Sequence, residues 1–263
     1  MSTKRKIKTS KKTKKKKIIA ILTSAVLVIS VAVAIIAGNA SSGGRMDFRF
    51  NGKIACGIDV SHHNGKIEWD KVSKEVDFAF IRAGYRGYSN GDIFSDKKFK
   101  SNIKNANANS VPVGIYFYSQ AVTEEEAEEE AEFVIKAVRK YDISLPIAID
   151  YEYAYNSKGK LTGRLYEANL TKGDTAKIIN AFLNKIEEAG YKPAVYASTY
   201  FYNSVIETKK LSKSAFIWVA DYNKELTYKG KYDMWQYSEK GKCSGVSSKY
   251  VDLNYYFMKE ETE

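Results

Sequence analysis

The stretch LPIAIDYE, residues 145–152, decides how the rest of the chain is read. Pro146 suits the first position of a strand, where its missing N–H is tolerated. Ile147, Ala148 and Ile149 make a short apolar run, the pattern of a strand buried on both faces. Asp150 and Glu152 follow, with one residue between them. Side chains two apart on a strand share a side, so two carboxyl groups emerge together where an apolar strand ends. Like charges at that range resist joint ionisation, and one of the pair is expected to hold its proton to higher pH than a free carboxyl. A protonated acid beside an ionised one is what glycosidic bond cleavage uses. The tripeptide is common, and taken alone it fits equally a strand that ends in solvent with two surface charges.

Outward from this stretch, strand and helix patterns alternate. Strands are expected at residues 54–60, 78–83, 111–118, 146–151, 193–198, 215–220, 232–237 and 251–257. Helices are expected at 67–74, 96–108, 123–140 and 173–189. Such alternation predicts an α/β fold with parallel strands. Thr123 and Glu126 form a capping box, and the acidic run EEEAEEEAE behind Thr123 sits at the positive end of the helix dipole and reads as a solvated face. Eight strands in about 210 residues, with helices mainly in the first two-thirds, predict a TIM-like (β/α) barrel whose last third is mostly β. Residues 153–170, YAYNSKGKLTGRLYEANL, are long for a connection and are expected to form a rim or lid.

In such a barrel the site lies at the carboxyl ends of the strands. Asp59 ends the first strand and Arg82 lies near the end of the second. Tyr116 and Tyr118 end the third, Asp150 and Glu152 the fourth, and Tyr196 the fifth. Trp218 and Asp221 end the sixth, and Trp235, Gln236 and Tyr237 the seventh. The eighth differs, because Asp252 and Asn254 stand near its beginning and middle. A single tyrosine at a strand end is ordinarily structural. Acids and aromatic faces converging in one cup suit a carbohydrate, whose C–H faces stack on rings and whose hydroxyls need acceptors. Glu152 and Asp150 are the catalytic candidates. Asp59, Asp252, Arg82, Tyr116, Tyr118, Tyr196, Trp218, Asp221 and Gln236 are the candidate substrate contacts.

Other chemistries find little support. His62 and His63 are adjacent and are not expected to face inward together; with no third histidine, a metal site is not expected. No GxSxG element is present, and the glycines at 84, 87 and 91 lead to no phosphate loop. No cofactor is expected. The two cysteines, Cys56 and Cys243, lie just before or within the first strand and just before the last, and a disulfide is possible if those strands are neighbours.

The formal charge is +11, but residues 1–17 hold ten of the 42 Lys and Arg residues and no acid, which leaves 32 bases against 31 acids. The basic character belongs to a tail, and no nucleic-acid face is expected. Residues 18–37 carry no charge. As a helix they would span about 30 Å, the thickness of a bilayer core. They read as one transmembrane anchor with a cytoplasmic basic tail and an extracellular remainder. The competing reading is a cleaved signal peptide, with Gly38 and Ala40 before the cut. Residues 38–52 then form a linker and 53–260 the domain.

The motifs taken together resemble glycoside hydrolase family 25, the lysozymes of the N-acetylmuramidase type. GIDVSHHNG at 57–65, FAFIRAGYRG at 78–87, GIYFYS at 114–119, AIDYE at 148–152, VYAS at 195–198, IWVADY at 217–222, MWQYS at 234–238 and VDLNYYF at 251–257 come in that family's order. The resemblance implies hydrolysis of the β-1,4 bond between N-acetylmuramic acid and N-acetylglucosamine in peptidoglycan, with retention. It implies that Glu152 is the general acid/base, Asp150 the second carboxylate, and Asp59 and Asp252 the other acids of the cup. Asp150 then acts either as a nucleophile or by steadying an intermediate formed by the substrate's own N-acetyl group; the second is favoured. The partners implied are peptidoglycan strands and, through the N-terminal segment, the membrane. No protein partner is legible. A chitinase-like or N-acetylglucosaminidase-type hydrolase and a non-catalytic wall-binding module are the rival readings. The 153–170 segment and the N-terminal anchor depart from the family pattern.

Overall fold

The computed structural model describes residues 53–258. The basic tail at 1–17, the apolar segment at 18–37, the linker at 38–52 and positions 259–260 lie outside the described residues. Among the described residues, no helix is long and apolar enough to cross a membrane.

Eight strands close into a barrel in the order β1 (Lys53–Val60), β11 (Val251–Met258), β10 (Met234–Gly241), β9 (Phe216–Ala220), β8 (Pro193–Ser198), β5 (Ile147–Tyr151), β4 (Val113–Ser119) and β2 (Phe78–Arg86), which pairs back to β1. A short β3 (Ile93–Ser95) folds back on β2 as an unexpected hairpin. The pairings from β1 through β2, β4, β5, β8 and β9 to β10 are parallel. β11 is antiparallel to both β10 and β1.

This corrects the TIM-like (β/α) barrel; the leading transmembrane helix is expected at residues 18–37, outside the described residues. The sheet is mixed, and helices cover only part of it. Of the described helices, α2 (Phe99–Ala108), α3 (Glu124–Val138) and α5 (Lys172–Glu188) are long. The others, α1 (Trp69–Val72), α4 (Arg164–Glu167) and α6 (Thr199–Ser204), span at most six residues. No helix lies between β9 and β10 or between β10 and β11. The β10–β11 connection, residues 242–250, is too short for a parallel crossover, so these strands pair antiparallel, and β11 meets β1 in the same sense.

Strand alternation splits the core into two layers. Ile147, Ile149 and Tyr151 point outward into the layer shared with the helices. Ala148 points into the barrel, where it meets Phe80, Tyr196 and Trp218. Burying each outward isoleucine contributes about 1.5–3 kcal/mol. The inner layer mixes large rings with very small residues. A Cβ on Gly57 would strike the Phe78 ring, and one on Gly114 would strike the Phe80 ring. The aromatic filling of the barrel thus depends on glycine at both places.

The long helix α3 starts at the expected cap, with Thr123 Oγ1 accepting from Glu126 N, but the reciprocal half of the box is displaced: Glu126 Oε2 accepts from Val122 N at 2.8 Å, one residue before the cap. Its acidic run is not wholly a solvated face, which corrects the expectation. Glu130 is fully buried and takes Arg86 Nε at 2.7 Å. Glu126 takes Arg164 Nη2 at 2.6 Å. Arg86 lies on the part of β2 beyond the expected strand end, which is why its partner was not legible.

Candidate active site

The carboxyl ends of the parallel strands open into a cleft of about 1300 Å³. All eleven candidate residues line it: Asp59, Arg82, Tyr116, Tyr118, Asp150, Glu152, Tyr196, Trp218, Asp221, Gln236 and Asp252.

Asp59 ends β1, and its Cα partner across the antiparallel pair is Asp252. Because β11 runs the other way, its beginning stands at the rim where its neighbours end. That resolves the odd position of Asp252 in the sequence. Asp59 is 5% exposed, and a charge so placed needs hydrogen bonds. Gln236 Nε2 and Asn254 Nδ2 both donate to Asp59 Oδ2 at 2.8 Å. The two amides are themselves oriented. Tyr196 and Tyr222 hydroxyls donate to Gln236 Oε1 at 2.8 and 2.6 Å, and Trp218 Nε1 donates to Asn254 Oδ1 at 2.9 Å. Asn254 and Tyr222 are the members of this network that the candidate set lacks. Asn254 could have been found from its i+2 spacing to Asp252.

Tyr118, Asp150, Tyr196 and Trp218 form one row across β4, β5, β8 and β9. Tyr151 points away and donates from its hydroxyl to Ala121 O at 3.0 Å. Asp150 and Glu152 flank it and both line the cleft. The turn at Glu152 is pinned from behind, where fully buried Gln120 donates from Nε2 to Glu152 O at 2.8 Å. Asp150 is 6% exposed, and its Oδ1 is buried with no hydrogen-bond partner.

Four carboxyl groups crowd this floor, and burial followed by mutual repulsion raises them. Burial, then the charges of Glu152 and Asp59, hold Asp150 well above the usual carboxylate range. Burial, then Asp59, pushes Glu152 up to about 7. Burial, then the charge of Asp59, pushes Asp252 up to about 8. Burial raises Asp59 as well, against the hydrogen bonds from Asn254 and Gln236.

Arg82 supplies positive charge to the cup. A register shift between Arg82 and Gly84 places Arg82 opposite Tyr116 and Tyr85 opposite Tyr118. Both Arg82 and Tyr85 therefore face the cleft, which residues three apart on a regular strand would not do. Arg82 Nε donates to Asp96 Oδ2 at 3.0 Å, and Arg82 Nη2 lies 2.7 Å from His62 Nδ1. His62 N also donates to that carboxylate oxygen at 3.0 Å. His62 and His63 both line the cleft, with ring centroids 4.0 Å apart. This corrects the expectation that the pair would not face inward together: a 3-10 turn over His62–Asn64, capped by Ser61, replaces strand alternation there.

Asp221 lines the wall, but its oxygens are already engaged by Thr199, Asn223 and Thr227. Those bonds outweigh burial and hold it down to about 2. Asp221 thus fastens the β9–β10 connection while lining the cleft. The possible disulfide is not formed, because Cys56 and Cys243 are both free. Cys56 pairs in register with Tyr255, whereas Cys243 lies in the β10–β11 connection, where Ser244 N donates to Glu75 Oε2 at 2.7 Å. Exposed tyrosines were missed altogether: Tyr88, Tyr155, Tyr200 and Tyr222 line the cleft from loops and short elements. The count of 20 tyrosines was the signal available.

The chain is similar to several known proteins. A solved relative is the modular autolysin LytC of Streptococcus pneumoniae, in complex with a synthetic peptidoglycan ligand. It is 29% identical with a TM-score of 0.66, over 78% of this chain and 47% of that one, so the chain spans about half of its length. A family 25 glycosyl hydrolase of Bacillus anthracis is 29% identical with a TM-score of 0.63, over 84% of this chain and 96% of that one. The uncharacterized protein YegX of Escherichia coli O157:H7 is 26% identical over 215 residues, 78% of this chain and 70% of its own length. The profile of glycosyl hydrolases family 25 matches residues 58–246, a span that includes Asp59, Asp150 and Glu152. The chain belongs to glycosyl hydrolases family 25 and is a glycoside hydrolase.

Proposed function

We propose that the protein cuts peptidoglycan at the β-1,4 bond between N-acetylmuramic acid and N-acetylglucosamine, with retention of configuration. The observation that carries this is the pair Asp150 and Glu152 at the floor of an aromatic cleft, with Glu152 pushed up to about 7. A carboxyl group that keeps its proton near neutrality is a general acid. Glu152 delivers that proton to the leaving oxygen. The substrate's N-acetyl oxygen attacks the anomeric carbon, and Asp150 steadies the positive charge that develops. Glu152, now ionised, takes a proton from the water that completes the reaction.

Burial, then the charges of Glu152 and Asp59, raise Asp150 as well, and Arg82 only opposes that rise. The pair therefore resists joint ionisation, and the acid role is given to Glu152 because it matches the general acid/base in the family resemblance. Asp150 lines the cleft beside Glu152, on the side where the acetamido group of a bound sugar would lie. Wall-turbidity rates for wild type and Asp150→Asn, with NMR of the first product anomer, test the scheme. A rate loss of about 10²-fold or more and a β-anomer as first product are expected. An α-anomer, or a covalent ester trapped on Asp150, contradicts it.

Action outside the cytoplasm is also proposed. It is supported by the sequence, in which an uncharged stretch at 18–37 follows ten basic residues. Cell fractionation checks it: protein in the membrane, wall or medium fractions is expected, and protein confined to the cytoplasm contradicts it.

A further inference from the structure

Residues 153–170, expected from the sequence to form a rim or lid, fold into a hairpin of β6 (Ala154–Tyr155) and β7 (Leu161–Thr162) followed by α4. The hairpin is a separate two-stranded sheet standing outside the barrel. It is held from two sides. At one, Arg164 N donates to Tyr88 O at 2.9 Å and the Arg164 guanidinium to Glu126 at 2.6 Å. At the other, the Tyr153 ring packs against Tyr166 and Phe201, with centroids 5.2 and 4.7 Å away. Its turn is closed by Asn156 Oδ1, which accepts from Lys158 N and Lys160 N at 2.9 and 3.1 Å.

This fixed hairpin presents one register pair to the cleft, Tyr155 opposite Leu161. Tyr155 is 66% exposed and Leu161 36%. Directly opposed side chains on one face of a hairpin form a continuous apolar surface. Anchoring such a surface while leaving it wet serves binding better than folding. The lysines of the turn, Lys158 and Lys160, do not line the cleft. The surface therefore offers a ring face, with no cation to draw the carboxylates of a peptide stem.

We propose that Tyr155 and Leu161 form an added sugar subsite, on which a pyranose of a longer glycan stacks beyond the two sugars that flank the cut bond. The proposal rests on the peptidoglycan reading above and deepens it: the enzyme prefers long chains, and the 153–170 segment is the reason. Aromatic stacking of this kind is a modest term, equivalent to about five- to tenfold in affinity.

The test uses the slow-cutting Glu152→Gln protein as parent, with Tyr155→Ala and Tyr155→Phe added separately. Each is titrated by calorimetry with stem-free peptidoglycan oligosaccharides of two and four disaccharide repeats. Tyr155→Ala is expected to shrink the advantage of the four-repeat chain about five- to tenfold, and Tyr155→Phe to keep it. Equal weakening of both lengths, or no weakening, overturns the subsite. Failure of the underlying reading shows separately, as wild-type lysis by the Glu152→Gln parent.

Discussion

Tyr151 separates Asp150 from Glu152, and its outward anchor in the helix-facing layer turns both acids toward the cleft. Strand alternation made that pair legible from the sequence, because a two-residue spacing has one structural meaning at a strand end. Tyr222 carried no comparable signal, since its bond to Gln236 depends on how β9 and β10 meet, whereas Asn254 carried the same two-residue spacing from Asp252. A pH dependence follows from Glu152. A general acid works while protonated, so turnover should fall as pH rises through about 7. A pH–rate profile still rising between pH 7 and 9 would exclude Glu152 as the acid. Asp252 makes a second, thermodynamic prediction. Its folded pKa of about 8 lies above the ordinary value of about 4. A raised pKa means that its contribution to stability is present below the unfolded value and lost as pH rises through the folded one. Asp252→Asn removes that loss. The melting temperature of Asp252→Asn relative to wild type should therefore improve between pH 5 and pH 9, and an unchanged difference contradicts the crowding of charges described here.

The elements were legible where local signals set them. The helix expected at 123–140 is Glu124–Val138, and the strand expected at 193–198 is Pro193–Ser198. The far end of β2 was not, because its pairing with β3 and its bulge are tertiary features. That unread end carries Arg86, 4% exposed, against fully buried Glu130. Arg86 also donates to Gly91 O and Glu126 O at 2.7 and 2.8 Å, and so ties β2 and its loop to α3. Removing one partner of a buried ion pair strands the other charge, at a cost of about 3–5 kcal/mol. Glu130→Ala should lower stability by that amount in urea unfolding. Arg86→Met with Glu130→Leu should cost less than Glu130→Ala alone, and the reverse order would show that the pair is not what holds the two elements together.

At the scale of the molecule, the alternating pattern indicated the eight strands of the barrel, and the residues it put at their carboxyl ends line one cleft. The hand of the last pairings was out of reach, because strand direction at closure depends on which distant strands meet. The antiparallel β11 matters for function as well as shape, since it delivers Asp252 and Asn254 to Asp59. The helix-poor side at β9, β10 and β11 is also the side where Asp221 fastens an irregular connection into the cleft wall. Cleavage as proposed requires that Glu152 protonate a bond between two wall sugars. The most direct measurement is the identity of the new reducing ends when purified peptidoglycan is digested by wild type and by Glu152→Gln side by side. Wild type is expected to leave reducing ends on muramic acid, with turnover in Glu152→Gln lower by about 10²–10⁴-fold. Reducing ends on glucosamine, or a Glu152→Gln protein that digests walls like wild type, would contradict it.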